Sequence, residues 1–548
     1  MLAIARTASR MNFMSASVQS LIHYGTTGLV VDIECHLSNN LPTIVIVGFA
    51  NKSVDEARER VRGAFSSSGI DLPRKRITIN LAPADIPKDG SSFDLAIAAA
   101  IIQATAAGTA TVRKSTLASR LAHPLTASEA VMGELGLDGS IRPVRGIIGK
   151  ILAGRAKGIT TFYIPATNLA QAALIPDVTL VPLTKLSELY DFMTTGIGLT
   201  ASCTSDTQPV TITGPVVPNT NPTGDATGDN LTLSDIVGQH QAKRALEIAA
   251  AGGHNVLLSG PPGTGKSMLA RALPSIMPGL TTEEMLEVTH LHSLASKEYE
   301  RIITVRPFRA PHHSSSNTAV IGGGAVLRPG EISLSHRGVL YFDEFPEFNR
   351  STIEALRQPL EDRIITIARA RDSVVYPADF ILIATSNPCP CGYYGVSNPT
   401  GIASRNCSCP PALVQRYRAK LSGPIIDRID LYSEVHEVEH TDLLTTVRDE
   451  LTDGAVRSRV QTARRVQSER FGSPALNSTM NNRDIMKFGL VSKDAKALLD
   501  TAGKSLDLSA RAYMRSIKVA RTIADLAGSM AVDVPHITEA LRYRRRPS

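Results

Sequence analysis

Eight consecutive residues carry the clearest chemistry in this chain: Gly260, Pro261, Pro262, Gly263, Thr264, Gly265, Lys266 and Ser267. They fit the pattern G-x-x-x-x-G-K-[ST], whose backbone cradles phosphate. The glycines let N–H groups turn inward around an anion. Lys266 can reach β- and γ-phosphate oxygens, and the Ser267 hydroxyl can ligate Mg2+. The apolar run Val256-Leu257-Leu258 precedes the motif, and the helix-compatible run 268–273 follows it. That strand–loop–helix setting is what the chemistry requires. ATP with Mg2+ is the expected ligand pair.

A second apolar run, Val339-Leu340-Tyr341-Phe342, ends in Asp343 and Glu344. Asp343 is expected to hold Mg2+, directly or through water. Glu344 is expected to polarise a water for in-line attack on the γ-phosphate. A third run, 380–385, leads into Ser386-Asn387-Pro388. The Asn387 amide can orient that water; a simple turn-forming Asn-Pro is the alternative. Next come Cys389 and Cys391, then Cys407 and Cys409, two C-x-C pairs with 15 residues between them. Four thiolates can hold a tetrahedral Zn2+. Because C-x-C is tighter than the usual knuckle, four reduced thiols remain the alternative. Cys35 and Cys203 have no evident partner.

These residues need elements to place them. A chain of 548 residues implies roughly three domains. Hydrophobic content of 43% and charged content of 20% are ordinary for globular proteins. Six cysteines spread over this length do not make a secreted disulfide scaffold. No stretch has the roughly 18 apolar residues of a membrane span, and the N-terminal apolar run is too short for a signal peptide. The expectation is a cytoplasmic protein with no membrane partner. A formal charge of +7 and a pI near 9.0 are compatible with a polyanionic partner. The cluster Arg542-Tyr543-Arg544-Arg545-Arg546 can touch phosphate or stand solvated.

Along the chain, residues 1–200 read as mixed α and β. Strands are predicted at 29–35, 43–47 and 76–80, and helices at 53–68 and 93–107; nothing is assigned to 1–20. Segment 201–230 is rich in Thr, Pro, Gly and Asn, has three Asp and no Lys or Arg, and reads as a flexible linker. Residues 231–440 alternate strands and helices, the pattern of a parallel sheet with ligand chemistry at strand C-termini. Residues 441–548 read as an all-helical lid. The fold class is therefore multidomain α/β. Segment 363–377 reads as a hairpin with Arg369 and Arg371 at its tip.

Gly260–Ser267, Val339–Glu344, Asn387 and the stretch Ser422–Leu431 together resemble an AAA+ ATPase of the magnesium-chelatase-like branch. The stretches opening Arg306-Pro-Phe-Arg-Ala-Pro-His-His and Gly322-Gly-Gly-Ala-Val-Leu-Arg-Pro are similar to the ComM/YifB family. The resemblance implies that Arg428 is an arginine finger reaching the ATP of the neighbouring subunit, worth ~10³–10⁵ in rate. It implies that Arg511, within Ser509-Ala510-Arg511-Ala512, is a sensor-2 arginine facing the γ-phosphate. A surface ion pair is the alternative for either. An arginine working in trans implies a ring, the homo-hexamer of the family. The hairpin and the insertion near 309–332 would line its pore, where Arg369 and Arg371 would grip DNA phosphates without reading sequence. The implied function is that of an ATP-hydrolysing DNA translocase and branch-migration helicase. It would act on single-stranded or branched DNA in recombination during natural transformation, with recombination proteins as partners. The alternative is a chelatase-like motor that remodels a protein partner.

Pro87–Asp94 resembles the segment around the catalytic serine of Lon-type proteases, and Gly133–Gly146 the stretch leading to their catalytic lysine. The resemblance implies an α+β, Lon-protease-like (ribosomal S5 domain 2-like) fold for the N-terminal domain. Ser92 falls on the serine position. The lysine position falls on Ile148, with Lys150 two residues on. An isoleucine cannot take a serine proton, so proteolysis is not expected, and DNA contacts or ring assembly are the expected roles.

Overall fold

The computed structural model describes residues 15–24, 27–48, 52–84, 91–109, 121–199, 202–203, 231–295, 301–324, 327–368, 373–395, 407–420, 423–438 and 450–544. The chain forms two compact units. One is Met1–Val217 with Met285–Ile303; the other is Pro218–Glu284 with Thr304–Ser548.

The first unit is built on an eight-stranded mixed sheet. Its order is Ser202–Cys203, Thr179–Leu183, Thr161–Pro165, Glu129–Val131, Ser15–Tyr24, Thr27–Ser38, Arg76–Ala82, Thr43–Val47. Ser15–Tyr24 lies in mid-sheet, antiparallel to Thr27–Ser38 and parallel to Glu129–Val131. Its serines hid it from a hydrophobic-pattern reading. Ser20 is fully buried and donates to the Val131 carbonyl at 2.7 Å, so its hydroxyl is satisfied in the core. The helix Asp94–Thr109 is apolar almost all round, and Leu95 to Ile101 are all fully buried, as a central helix requires. Ser202–Cys203 extends the sheet beside Thr179–Leu183; the rest of 201–230 lies outside the described residues.

Lys150 sits in the helix Ile147–Ala156 and is 2% exposed. Among the described residues no hydrogen bond or ion pair joins its ammonium. Burial pushes its pKa down to about 7. Between that value and the ordinary lysine range the unfolded chain binds more protons than the folded one. Stability of this unit therefore rises with pH across that window. Lys150→Met is expected to stabilise the unit by about 1–2 kcal/mol near neutral pH, with a gain that shrinks by pH 10. Thermal melts at both pH values check this; an equal gain at both would show that the amine titrates normally.

The second unit holds a five-stranded, all-parallel sheet. Its order is Phe308–Arg309, Val339–Phe342, Ile381–Ser386, Val256–Ser259, Leu431–Glu434. The three middle strands are buried along their whole lengths, as parallel strands covered on both faces are. The C-terminal part is helical: Glu450–Phe471, Asn482–Phe488, Lys493–Ser505, Ala510–Leu526 and Val534–Arg542. A buried polar bridge fastens it to the sheet. His254 is fully buried, with Nδ1 3.2 Å from Asp430 and Nε2 2.8 Å from the Thr522 hydroxyl. Burial alone would raise the Asp430 pKa, but Arg515 at 2.9 Å and His254 hold it well below the carboxylate range. The basic cluster at the chain end is partly structural. The Tyr543 carbonyl accepts from Tyr432 N–H at 2.8 Å, and burial pushes Arg544 down to about 10. A hairpin forms where expected, Ile364–Ala368 against Ser373–Pro377. Its tip, with Arg369 and Arg371, lies outside the described residues.

Candidate nucleotide site

Parallel pairing fixes the site. The strand Ile381–Ser386 lies between Val256–Ser259 and Val339–Phe342, with Ser259 opposite Ser386 and Phe342 opposite Ala384. Val256–Ser259 and Ile381–Ser386 end level with one another, and Val339–Phe342 ends two residues before them. Gly260, Asp343 and Asn387, each the next residue of its strand, therefore meet at the carboxyl ends of the three middle strands, where open α/β sheets bind ligands.

The loop after Ser259 turns into the helix Lys266–Ile276. Gly263 and Gly265 adopt φ of +82° and +85°, and nothing lies within 4 Å of a Cβ built on either. This left-handed backbone suits glycine and leaves room for an anion at the helix N-terminus. Lys266 is 8% exposed, and its Nζ donates to the carbonyls of Gly260 (2.7 Å) and Pro261 (2.6 Å) and to Asn387 Oδ1 (3.2 Å). Burial pushes its amine down to about 8, against the upward pull of Asp343 and Glu344. A bound polyphosphate adds negative charge beside it and favours the ammonium.

Ser267 Oγ donates to Asp343 Oδ2 at 3.3 Å. This pairs a hydroxyl with a carboxylate, the hard oxygen donors that Mg2+ takes alongside substrate phosphates. Two strand residues to which the sequence reading gave no role complete the arrangement. The Tyr341 hydroxyl donates to Ser267 Oγ at 3.0 Å, and Thr385 Oγ1 donates to Asp343 Oδ1 at 2.6 Å. Thr385 also accepts the Glu344 N–H at 3.0 Å. The one signal for Tyr341 is its strand parity with Asp343, which sends both side chains to one face. Glu344 has φ +49°. A non-glycine residue rarely takes this conformation, which costs of order 1–3 kcal/mol and tends to cluster at functional sites. Both Asp343 and Glu344 are exposed.

The arginines sit apart from this group. Arg428 is 7% exposed, its Nη2 lies 2.6 Å from Glu361, and it donates to the Pro424 carbonyl. Arg511 is exposed in the first turn of Ala510–Leu526, where the Ser509 side chain caps the helix by accepting the Ala512 N–H at 3.2 Å. No hydrogen bond or ion pair holds Arg511 among the described residues. The four cysteines converge: their Sγ atoms all lie within 4.8 Å of one another. In the other unit, Ile148 is fully buried and Ser92 is 7% exposed. Among the described residues no hydrogen bond joins the Ser92 hydroxyl to an amine.

A phosphate loop, an acidic strand end and a polar strand end on three adjacent parallel strands, with a helical C-terminal part, define a P-loop protein of the AAA+ class. Comparison with known proteins narrows this. The magnesium chelatase subunit ChlI model matches residues 232–443, a further ChlI model matches 33–168, and the ChlI C-terminal model matches 451–544. Competence protein ComM of Haemophilus influenzae is 40% identical over 532 residues, which is 96% of this chain and 97% of that protein. YifB of Salmonella typhimurium is 39% identical over 534 residues, again 96% and 97%. The magnesium-chelatase 67 kDa subunit of Chlorobaculum parvum is 30% identical over 164 residues, 29% of this chain and 23% of that subunit. The chain belongs to the ComM/YifB family of magnesium-chelatase-like AAA+ proteins. Among the described residues no helix is long and apolar enough to cross a membrane.

Proposed function

We propose that this protein hydrolyses ATP as a homo-hexamer and uses the cycle to move along DNA, migrating branches during recombination of incoming strands in natural transformation. The observation that carries the ATPase reading is the meeting of Lys266, Ser267, Asp343, Glu344 and Asn387 at the carboxyl ends of the middle strands. Mg2+, when bound, neutralises charge on the β- and γ-phosphate oxygens; Ser267 and Asp343 would hold it. Lys266 binds the phosphates, Asn387 orients the attacking water, and Glu344 takes its proton. Arg511 at the start of its helix reads the γ-phosphate, and Arg428 serves the neighbouring subunit's site. The DNA reading rests on full-length similarity to a competence protein, on the basic balance of the chain and on the arginine-tipped hairpin. Its setting would be the cytoplasm, with recombination proteins as partners.

ATP turnover measured with and without single-stranded and branched DNA tests the motor. Stimulation and branch migration are expected. Their joint absence would favour a motor acting on a protein partner. Arg369→Ala with Arg371→Ala is expected to weaken DNA binding whatever its sequence. It should also flatten the slope of log K against log salt by about 1.5, from two lost phosphate contacts. An unchanged slope would remove these arginines from the interface.

A further inference from the structure

We propose that Cys389, Cys391, Cys407 and Cys409 bind one Zn2+, and that this ion holds the Asn387 loop against the phosphate loop. The sulfur geometry supports a single ion. Cys389 and Cys391 Sγ are 3.3 Å apart, and each lies 3.6 Å from Cys407 Sγ. A tetrahedral tetrathiolate with Zn–S near 2.3 Å has edges of ~3.8 Å. A disulfide would bring sulfurs to ~2.05 Å, so these are free thiols gathered without a bond. An iron–sulfur cluster has several metal atoms between its cysteines and needs a wider nest. The donor set is soft and complete, which describes a closed structural zinc site rather than a catalytic one with an open position.

The placement gives the ion its role. Cys389 follows Asn387 by two residues, and Asn387 Oδ1 accepts from Lys266 Nζ at 3.2 Å. Gly392 has φ +88°, and a Cβ built there would sit 2.4 Å from Pro262 Cδ. The cysteine turn thus rests directly on the phosphate loop. From the other pair, Cys409 leads within two residues into the helix Pro411–Ala419. Past its end, Lys420 Nζ pairs with Glu347 at 3.1 Å, three residues beyond Glu344. One ion therefore fastens a small lobe that touches the phosphate loop, carries the Asn387 strand end and reaches the segment after Glu344. The four cysteines are positioning residues, and their coupling to turnover rests on the ATPase reading above.

The test begins with metal analysis of the full-length protein, where one zinc per chain is expected. Replacing zinc with Co2+ should give the visible bands of a tetrahedral tetrathiolate. Absence of both would overturn the site. Cys409→Ser is expected to lose the ion and to lower kcat for ATP about 10–100-fold, as small misplacement of an orienting group does, with KM moving far less. Cys409→His keeps a zinc ligand and should retain both metal and turnover. If the serine variant does not fold, a mercurial releases zinc from the wild type, read with a zinc indicator, and added thiol with Zn2+ should restore turnover. Zinc release that leaves kcat unchanged would overturn the clamp. A protein that holds zinc but never hydrolyses ATP would instead defeat the ATPase reading.

Discussion

Glu344→Gln is expected to yield a protein that binds ATP and does not turn it over, with kcat lower by about 10²–10⁴-fold. The amide keeps the shape and hydrogen-bonding reach of the carboxylate but cannot accept the water's proton. Nothing that binds the nucleotide is removed. Lys266 and Ser267 keep their partners, and the Glu344 backbone remains tied to Thr385 Oγ1 at 3.0 Å. The left-handed backbone of Glu344, φ +49°, is held by that bond and is independent of the side-chain charge. Fluorescent-nucleotide binding and single-turnover hydrolysis, measured on the same preparation, separate the two effects. Unchanged hydrolysis would place the base elsewhere. Lost binding would make Glu344 part of the fold rather than the chemistry.

Arg428→Ala is expected to cost more, ~10³–10⁵ in hydrolysis, if the guanidinium completes the neighbouring subunit's site. In the single chain it is only 7% exposed and paired with Glu361 at 2.6 Å. Acting in trans thus requires exchanging Glu361 for a phosphate, a stronger anion for an arginine fork. The alternative is a purely local ion pair that steadies the helix Gly423–Ile426. Mixing subunits decides between them. Lys266→Ala and Arg428→Ala proteins should each be inactive alone. If the chain assembles into the ring proposed above, a mixed ring contains interfaces with an intact Lys266 on one side and an intact Arg428 on the other, so activity should partly return. Failure to recover, in rings shown to have mixed, would leave Arg428 a structural residue.

Much of this was legible in the chain because the relevant chemistry is local. The phosphate loop is one short segment whose glycines, lysine and following helix N-terminus act over a few residues. The strand ends at Asp343–Glu344 and Asn387 announce themselves as polar residues after apolar runs. The hairpin at 364–377 was legible for the same reason. Ser15–Tyr24 was not, since Ser20 occupies a core position and is satisfied by a carbonyl far along the chain.

The sequence alone determined that a nucleotide loop, an acidic strand end and a four-cysteine set exist, because each is a pattern of side chains close in the chain. Only the tertiary structure decided what stands beside them. Tyr341 meets Ser267, Thr385 meets Asp343, Gly392 rests on Pro262 and Glu361 takes Arg428. Each of these contacts spans many residues. The first three follow from which parallel strands lie side by side and how the loops leave their ends. Strand order arises from packing of the whole sheet and its helices, which no short window of residues encodes.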